Sequence, residues 1–437
     1  MAAKTAAEAG LEVCLIDRKG REDIGKKVCG DAIGRHHFDD LGLDYPTGEE
    51  LERKIVGAKL YSPNLETVFQ IKSEDLFGFM VNRHSFGQRL LREAMDAGAT
   101  LLESNQVMEP IISNGFVAGV LVRDLKSGSK TELRSRVAVD ASGFSAVLRK
   151  KLPTEFGIDT EISKRDMVIC YRGIRELREQ VDEPEYIGLY LNQEITPGGY
   201  HWIFAEGGAK VNVGLGLTMF TEFPNPKKQL YNHVLSRPLF EGSSIVNEGG
   251  GHIPTRRSLD CMVGDGIVIV GDAACQANPI HAGGMGPSMI GGTAAGKTIV
   301  EAIERGDVSR SGLWPYNVRY IQSYGAKQAG LDIFRMFLLN WLSDDDLNYG
   351  MKYRLITEGD LLKTSMGEDT RLNITEATLR VFRGLGRFSF LRRLRNAVNL
   401  MKEVKTMYLN YPNSPSGFHE WKTKVHRLIE KAGRKNN

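Results

Sequence analysis

The sequence predicts an α/β fold built on a parallel sheet, followed by an antiparallel sheet and a helical last third. Three stretches predict it. Residues 264–290 (GDGIVIVGDAACQANPIHAGGMGPSMI) run from a buried β-forming segment, Ile267 to Val270, through Gly271-Asp272 and Asn278-Pro279. They end in Gly283, Gly284 and Gly286 and a small-residue helix start. Residues 1–17 read as helix, Gly10, strand (LEVCLID) and a closing acid, Asp17, which is the second half of a dinucleotide-binding βαβ unit. RVAVDASGF, Arg136 to Phe144, is a further strand closing on an acid and a glycine, Asp140 and Gly143. In open α/β sheets ligands bind where strands end and helices begin. Helix-start amides there favour anions.

The bulk numbers agree with such a fold and exclude other classes. A chain of 437 residues suggests two or three domains. With 41% hydrophobic and 25% charged residues the composition is ordinary for a soluble protein. A net charge of +3 does not call for a nucleic-acid partner. No run approaches the roughly 18 apolar residues of a spanning helix, and no signal peptide is recognised. The five cysteines lack metal-type spacing, so a reduced, cytoplasmic protein without disulfides or a metal site is expected.

Taken in order, the chain opens on an alanine-rich helix ended by Gly10. A strand and a G-x-G-x-x-G loop should precede that helix, and neither is present. The expectation is that Met1 is an internal methionine preceded by about 15–20 residues. The sheet would then show an open gap beside Ile267 to Val270. Cys29-Gly30-Asp31 sits where a loop leads into a helix: Gly30 allows close approach and Asp31 can cap. Short strand-like pieces follow within 55–80, then a helix over Val81 to Gly98 with Arg83 near its start. Residues 100–123 read as strands with a turn at Asn114-Gly115.

Residues 165–218 hold aromatic and branched strands. Tyr200, Trp202 and Phe204 alternate and so face one side. Gly214 and Gly216, on the next strand, would offer an empty patch opposite them. That row is either a plain aromatic core stripe or one wall of a smooth apolar channel. Gly330 to Leu342 (GLDIFRMFLLNWL) is apolar nearly all round and reads as a buried or cavity-lining helix. Further on, Leu391, Leu394, Val398, Met401, Val404 and Tyr408 share one face of a basic helix. Such a helix lies on the core or on an anionic membrane surface.

Together these segments resemble the geranylgeranyl reductase family of FAD enzymes, within the larger group with the p-hydroxybenzoate hydroxylase fold. The matching pieces are IDRK at 16–19, VCGD at 28–31, R-x-x-F at 83–86, DASG at 140–143, GD at 271–272 and NPIHAGGMG at 278–286. The family's Y-x-W-x-F-P followed by G-x-G reads here as Tyr200-His-Trp202-Ile-Phe204-Ala205, then Gly214-Leu-Gly216. Val28 and Ala205 stand where the pattern has prolines, and the glycine loop is missing.

The resemblance implies an FAD-binding Rossmann-like domain over 1–50, 81–160 and 255–305. It implies a substrate-binding antiparallel-sheet domain over 51–80 and 161–254, and a helical domain over 306–437. Asp17 would hold the adenosine ribose, Val107 would approach the adenine and Arg83 would meet the phosphate–ribose region. Cys29, Gly30 and Asp31 would lie along the flavin, Asp272 would contact ribityl or pyrophosphate oxygens, and Gly284 and Met285 would face the ring through backbone groups. Tyr200, Trp202, Phe204, Gly214 and Gly216 would line a channel for a polyprenyl ether lipid, and Cys29 is the side chain to test as proton donor. The implied reaction saturates isolated C=C bonds of geranylgeranyl chains in archaeal ether-lipid precursors. Electrons would come from an external donor, ferredoxin or NAD(P)H, and the protein would be cytoplasmic with peripheral contact at the inner face of the membrane. The alternatives are a flavin monooxygenase of the same fold and a prenyl-lipid-binding protein that has lost its flavin.

Overall fold

The computed structural model describes residues 1–72, 77–355, 357–361 and 388–433. The parallel strands are short apolar runs cut off by acids and glycines. Cys14–Ile16 pairs in parallel with Thr100–Leu102, and Ala138–Asp140 pairs in parallel with Ile267–Ile269. These are two separate sheets. Ile267–Ile269 carries Val263–Gly264, antiparallel, on its other side. The gap expected beside Ile267 to Val270 is therefore misplaced, because that strand is paired along both edges. The edge strands of its sheet are Ala138–Asp140 and Val263–Gly264. A register like this depends on long-range pairing that local sequence does not encode.

The helix Met285–Glu304 runs back from the strand end across the amino-terminal helix Ala2–Glu8. Its glycines make that approach possible. A Cβ at Gly296 would stand 2.7 Å from Thr5 Cβ, and one at Gly292 would stand 3.1 Å from Met1 Cβ. The hairpin joining Asn105–Ser113 to Phe116–Asp124 turns at Asn114 (φ 51°) and Gly115 (φ 80°), as that dipeptide predicts.

The larger sheet has seven strands in the order Ser244–Pro254, Met167–Glu176, Lys210–Thr218, Tyr200–Ala205, Tyr186–Tyr190, Gly57–Tyr61 and Val68–Lys72. It is antiparallel except where Tyr186–Tyr190 runs parallel to Gly57–Tyr61. The segment expected to join this sheet as 51–80 divides. Its ends, Leu51–Ile55 and Gly78–Val81, pair with each other instead, and Gly78–Val81 also pairs with Ala32–Gly34 in a separate three-stranded sheet.

Among the described residues, helices of the last third pack on the Ile267–Ile269 sheet and along one side of the larger one, among them Pro315–Tyr320, Ala326–Trp341, Asp344–Lys352, Phe388–Leu409 and Phe418–Gly433. The apolar face of Phe388–Leu409 is spent on this packing. Leu391, Leu394, Val398, Val404 and Tyr408 are buried, and Gly330 lets Met401 come within 3.3 Å of its would-be Cβ. Of the two readings of that face, the structure shows the core-facing one. Its Arg392, Arg393, Arg395 and Lys402 point outward. Among the described residues no helix is long and apolar enough to cross a membrane.

One buried carboxylate ties these parts together. Asp260 is fully buried and accepts from Tyr408 Oη at 2.6 Å, meets His426 Nε2 at 2.6 Å and takes Tyr411 Oη on its carbonyl at 2.7 Å. Arg257 donates to Tyr408 Oη at 3.0 Å and reaches Asp332 at 3.4 Å. Asp332 also accepts from Arg335, whose other nitrogen donates to Asp166 at 2.7 Å, beside the first residue of the Met167–Glu176 strand. Burial pushes the Asp260 carboxyl upward, but the Arg257 charge and the His426 and Tyr408 hydrogen bonds win and hold it far below the usual carboxylate range.

Removing one partner from such a network leaves a buried charge unpaired. Asp260→Ala is expected to cost about 3–5 kcal/mol of unfolding free energy at neutral pH, measured by urea denaturation. The folded-state pKa lies below the unfolded one, so this stabilisation is full above the usual carboxylate range and drains as pH falls. The variant's stability should therefore fall less steeply into acid than the parent's. Parallel acid limbs would show that Asp260 carries none of this dependence.

Candidate active site

A single cavity of about 2350 Å³ runs from the carboxyl ends of the parallel strands to the helical third. It is polar at one end and apolar at the other. Asp17, Cys29, Gly30, Asp31, Arg83, Val107, Tyr200, Trp202, Phe204, Gly216, Asp272, Gly284 and Met285 all border it. Gly214 does not.

At the polar end the side chains are set by strand ends and helix starts. Asp17 closes the Cys14–Ile16 strand, and its Oδ1 accepts from Lys19 N at 2.9 Å. Arg83 is the first residue of the helix Arg83–Asp96, which Asn82 caps, and its Nε is buried without a partner. Asp272 is the second residue of the short turn Gly271–Ala274 and lies 3.2 Å from Lys27 Nζ. Gly284 caps the helix Met285–Glu304 with no side chain of its own, and a Cβ there would stand 3.3 Å from Asp272 Oδ1. The loop before it is held by Asn278, whose Oδ1 accepts from Ile280 N and His281 N and whose Nδ2 donates to Tyr324 Oη. A guanidinium, an uncapped helix start and two strand-end acids suit an anionic ligand bearing ribose hydroxyls. Asp140 does something else. Its carboxylate accepts from Ser142 N and Oγ, Leu148 N and Arg149 N, so it shapes its own turn.

Where the two ends meet, Cys29-Gly30-Asp31 lies on the aromatic row. A Cβ at Gly30 would stand 3.4 Å from the Phe204 ring. Two groups clamp the segment: Arg172 Nε and Asn212 Nδ2 both donate to Cys29 O, at 3.2 and 3.0 Å. Asp31 N donates to Cys29 Sγ at 3.4 Å. Burial, then the nearby Asp31 carboxylate, pushes the Cys29 thiol up. Burial also pushes Asp31 up to about 6, against the pull of Arg172 and Arg83.

Tyr200, Trp202 and Phe204 share a face, with successive ring centroids 6.1 Å apart. Tyr200 Oη donates to His281 O at 2.8 Å, which joins the larger sheet to the glycine-rich loop. Tyr200 pairs with Gly216 and Trp202 with Gly214 across the strands. The empty patch expected at both glycines is wrong for Gly214. A Cβ there would lie 2.4 Å from Trp202 Cζ2, because the indole lies over it. Gly216 faces Cys170 Sγ and does border the cavity.

The apolar end is walled by Ile55, Ala58, Leu60 and Phe69 on one side and by Phe334, Phe337, Leu338 and Phe390 on the other. Sequence reasoning marked the Gly330 to Leu342 stretch as a possible cavity wall but did not pair it with Gly57–Tyr61. It also passed over two buried polar residues. Asn212 is fully buried, accepts from Trp202 Nε1 at 3.0 Å and donates to Asp31 Oδ2 at 2.9 Å. Glu206 is 4% exposed, and burial, then nearby Asp31 and Glu52, pushes it up to about 7. The signal for both was present. Asn212 sits two residues before Gly214, and Glu206 two after Phe204, each continuing a period-two face.

Comparison with known proteins places this geometry. Residues 166–253, most of the larger sheet, match the geranylgeranyl reductase catalytic domain. The digeranylgeranylglycerophospholipid reductase of Sulfolobus acidocaldarius is 41% identical over 98% of this chain and 94% of its own length. That of Methanothrix thermoacetophila is 32% identical over 80% of this chain and 86% of its own length. Among solved structures, a geranylgeranyl bacteriochlorophyll reductase-like protein from Thermoplasma acidophilum superposes with a TM-score of 0.76 at 22% identity, covering 92% of this chain and 95% of that one. A flavin-dependent brominase shares the fold at a TM-score of 0.61 and 17% identity, covering 98% and 96%. The chain belongs to the geranylgeranyl reductase family of flavin-dependent oxidoreductases.

Proposed function

We propose that this protein saturates the isolated C=C bonds of geranylgeranyl chains in a digeranylgeranylglycerophospholipid, with FAD as cofactor. The observation that carries the reading is one cavity that joins a dinucleotide-type polar end to an apolar end, with a thiol and an aromatic row at the junction. A polyprenyl chain offers methyls and double bonds but few hydrogen-bonding groups, so an apolar slot is what can hold it.

The residues at the polar end fit FAD. Arg83, with its unpartnered Nε, and the uncapped Gly284–Met285 helix start would take the phosphates and ring edge. Asp17 and Asp272 would take ribose and ribityl hydroxyls, and Val107 would pack on the adenine. When bound and reduced, the flavin supplies a hydride equivalent, and an external donor, ferredoxin or NAD(P)H, recharges it.

An isolated alkene has no carbonyl to stabilise a carbanion, so protonation leads. Cys29 is the donor. Its thiol stays protonated at neutral pH because burial and Asp31 raise it. The tertiary cation that protonation makes would face Tyr200 and Trp202, whose rings are worth up to about 2 kcal/mol to a desolvated cation. The apolar walls keep water from capturing it.

Two expectations follow from this reading. The purified flavin-loaded protein, given a reductant and an unsaturated archaeol-type phospholipid, should add hydrogen in pairs to the lipid, read by mass spectrometry. A hydroxylated product formed with oxygen consumption would instead favour monooxygenase chemistry. Cys29→Ala should retain flavin, seen in the visible spectrum, while lipid reduction falls by about a hundredfold to ten-thousandfold. An undiminished rate would remove Cys29 from the chemistry.

A further inference from the structure

Asp31, next to the Cys29 thiol, has two further carboxyl groups near it, Glu206 and Glu52, for which neither cofactor binding nor hydride addition has a use. Asp31 is 4% exposed, and its Oδ2 accepts from Asn212 while its Oδ1 is buried with no partner. A buried carboxyl oxygen with no donor facing it is where a proton can sit. The backbone of Asp31 is left-handed, with φ at 61°, and its carboxylate meets Asn212 on the larger sheet. Glu206, also 4% exposed, is the residue just past the Tyr200–Ala205 strand, and its carboxyl feels the charges of both Asp31 and Glu52. Glu52 is the third and the least buried of them. It accepts from Asn82 Nδ2 at 3.2 Å and meets the half-exposed Lys210 at 3.6 Å. The cations facing these carboxyls are Arg172 and Arg83 beside Asp31, Lys210 beside Glu52 and Arg53, which grips Glu206 O at 2.6 Å.

We propose that Asp31, positioned by Asn212 and backed by Glu206, is the proton supply of the pocket and recharges Cys29 after each saturation. This rests on the reading of Cys29 as donor. Each saturation adds one proton and one hydride equivalent across a C=C bond. The Cys29 S–H bond breaks as a C–H bond forms, and both electrons of the hydride come from the reduced flavin. The thiolate left behind takes the Asp31 carboxyl proton, so an O–H bond breaks as S–H re-forms. Glu206 returns a proton to Asp31, and solvent returns one to Glu206 past Glu52. No electrons move in this relay. The Asp31-to-thiolate step runs downhill, because the thiol lies above its ordinary range and Asp31 is raised only to about 6; the Glu206 carboxyl, raised to about 7, passes its proton to Asp31 slightly uphill, and the downhill thiolate step draws it through. The need for it is physical: a pocket that excludes water from a cation also excludes the water that would reprotonate its acid, and a chain with several double bonds calls on that acid repeatedly.

The test uses the flavin-loaded enzyme and two variants. Asn tolerates a left-handed backbone as Asp does, so Asp31→Asn keeps the turn while removing the proton. Glu206→Gln keeps shape behind the site. In the lipid-free holoenzyme, the pH midpoint of Cys29 alkylation, followed on its own peptide by mass spectrometry, should move to lower pH in Asp31→Asn, because the carboxylate no longer raises the thiol. With lipid, Glu206→Gln should slow the later saturations at least tenfold more than the first, which uses the proton already on Cys29, and Glu206→Asp should restore the balance. An unmoved alkylation midpoint, or an equal slowing of first and later saturations, overturns the proposal. The alkylation measurement needs no turnover, so it decides the coupling of Asp31 to Cys29 even where no lipid is reduced.

Discussion

The buried charge of Asp260 is the constraint on which the arrangement of this molecule turns. A carboxylate with no exposed surface survives only if it is paired and hydrogen-bonded. Its partners come from two distant helices, through Tyr408 and His426, and from its own loop, through Arg257. That loop feeds directly into the strands Val263–Gly264 and Ile267–Ile269. Ile267, Val268 and Ile269 share one core with Trp314, Tyr316, Val404 and Tyr408. The strand that carries the Asp272 turn and the helices that wall the apolar end are thus one packed body. The Asp332–Arg335–Asp166 branch extends it to the larger sheet. The spacing between Phe337 and Ala58, across which a lipid chain would lie, is set by ion pairs of which only Arg335 borders the cavity.

The cavity itself gains from a polarity that changes along its length. Charged and hydrogen-bonding groups gather at strand ends and helix starts, where backbone groups are left unpaired. The mid-section sets Cys29 and Asp31 against the buried aromatic row. Its low dielectric excludes water from a developing cation and also raises every acid placed beside it. The raised Cys29 and Asp31 are therefore consequences of the channel's dryness. An exposed thiol or aspartate at the same position would lose its proton to solvent at neutral pH more readily than these do.

How much of this was legible in the sequence follows from the range of the interactions. Asp17, Arg83, Asp272 and Gly284 sit at strand ends and helix starts, features written locally as an acid after an apolar run or a glycine before a helix. All four border the cavity. Tyr200, Trp202 and Phe204 were placed on one face by their spacing alone. What escaped depended on partners far along the chain. The neighbours of Ile267–Ile269 were misassigned because a short apolar run does not encode which strand lies beside it. The basic helix was ambiguous because its apolar face fits another helix, Ala326–Trp341, as well as it fits a lipid surface. Asn212 and Glu206 were overlooked because a polar residue in a strand or just past its end is ordinarily assigned to the exposed face, and here both are inside.

The glycines opposite the aromatic row show what that difference of range means for chemistry. Taken alone, G-x-G suggests space for a ligand. In the structure, the space at Gly214 is filled by the Trp202 indole, at a distance no Cβ tolerates. The indole N–H holds Asn212, and the same amide holds both Cys29 O and Asp31 Oδ2. A side chain at 214 would displace the ring and strip Asn212 of the bond that fixes its orientation. An amide free to turn no longer aims its N–H groups at the Cys29 and Asp31 oxygens, and a buried amide oxygen without a partner costs about 1–3 kcal/mol. Gly214 is therefore clearance for a clamp. Through one fully buried amide, the wall that a polyprenyl chain would touch and the acid that would supply its proton are held by the same few bonds.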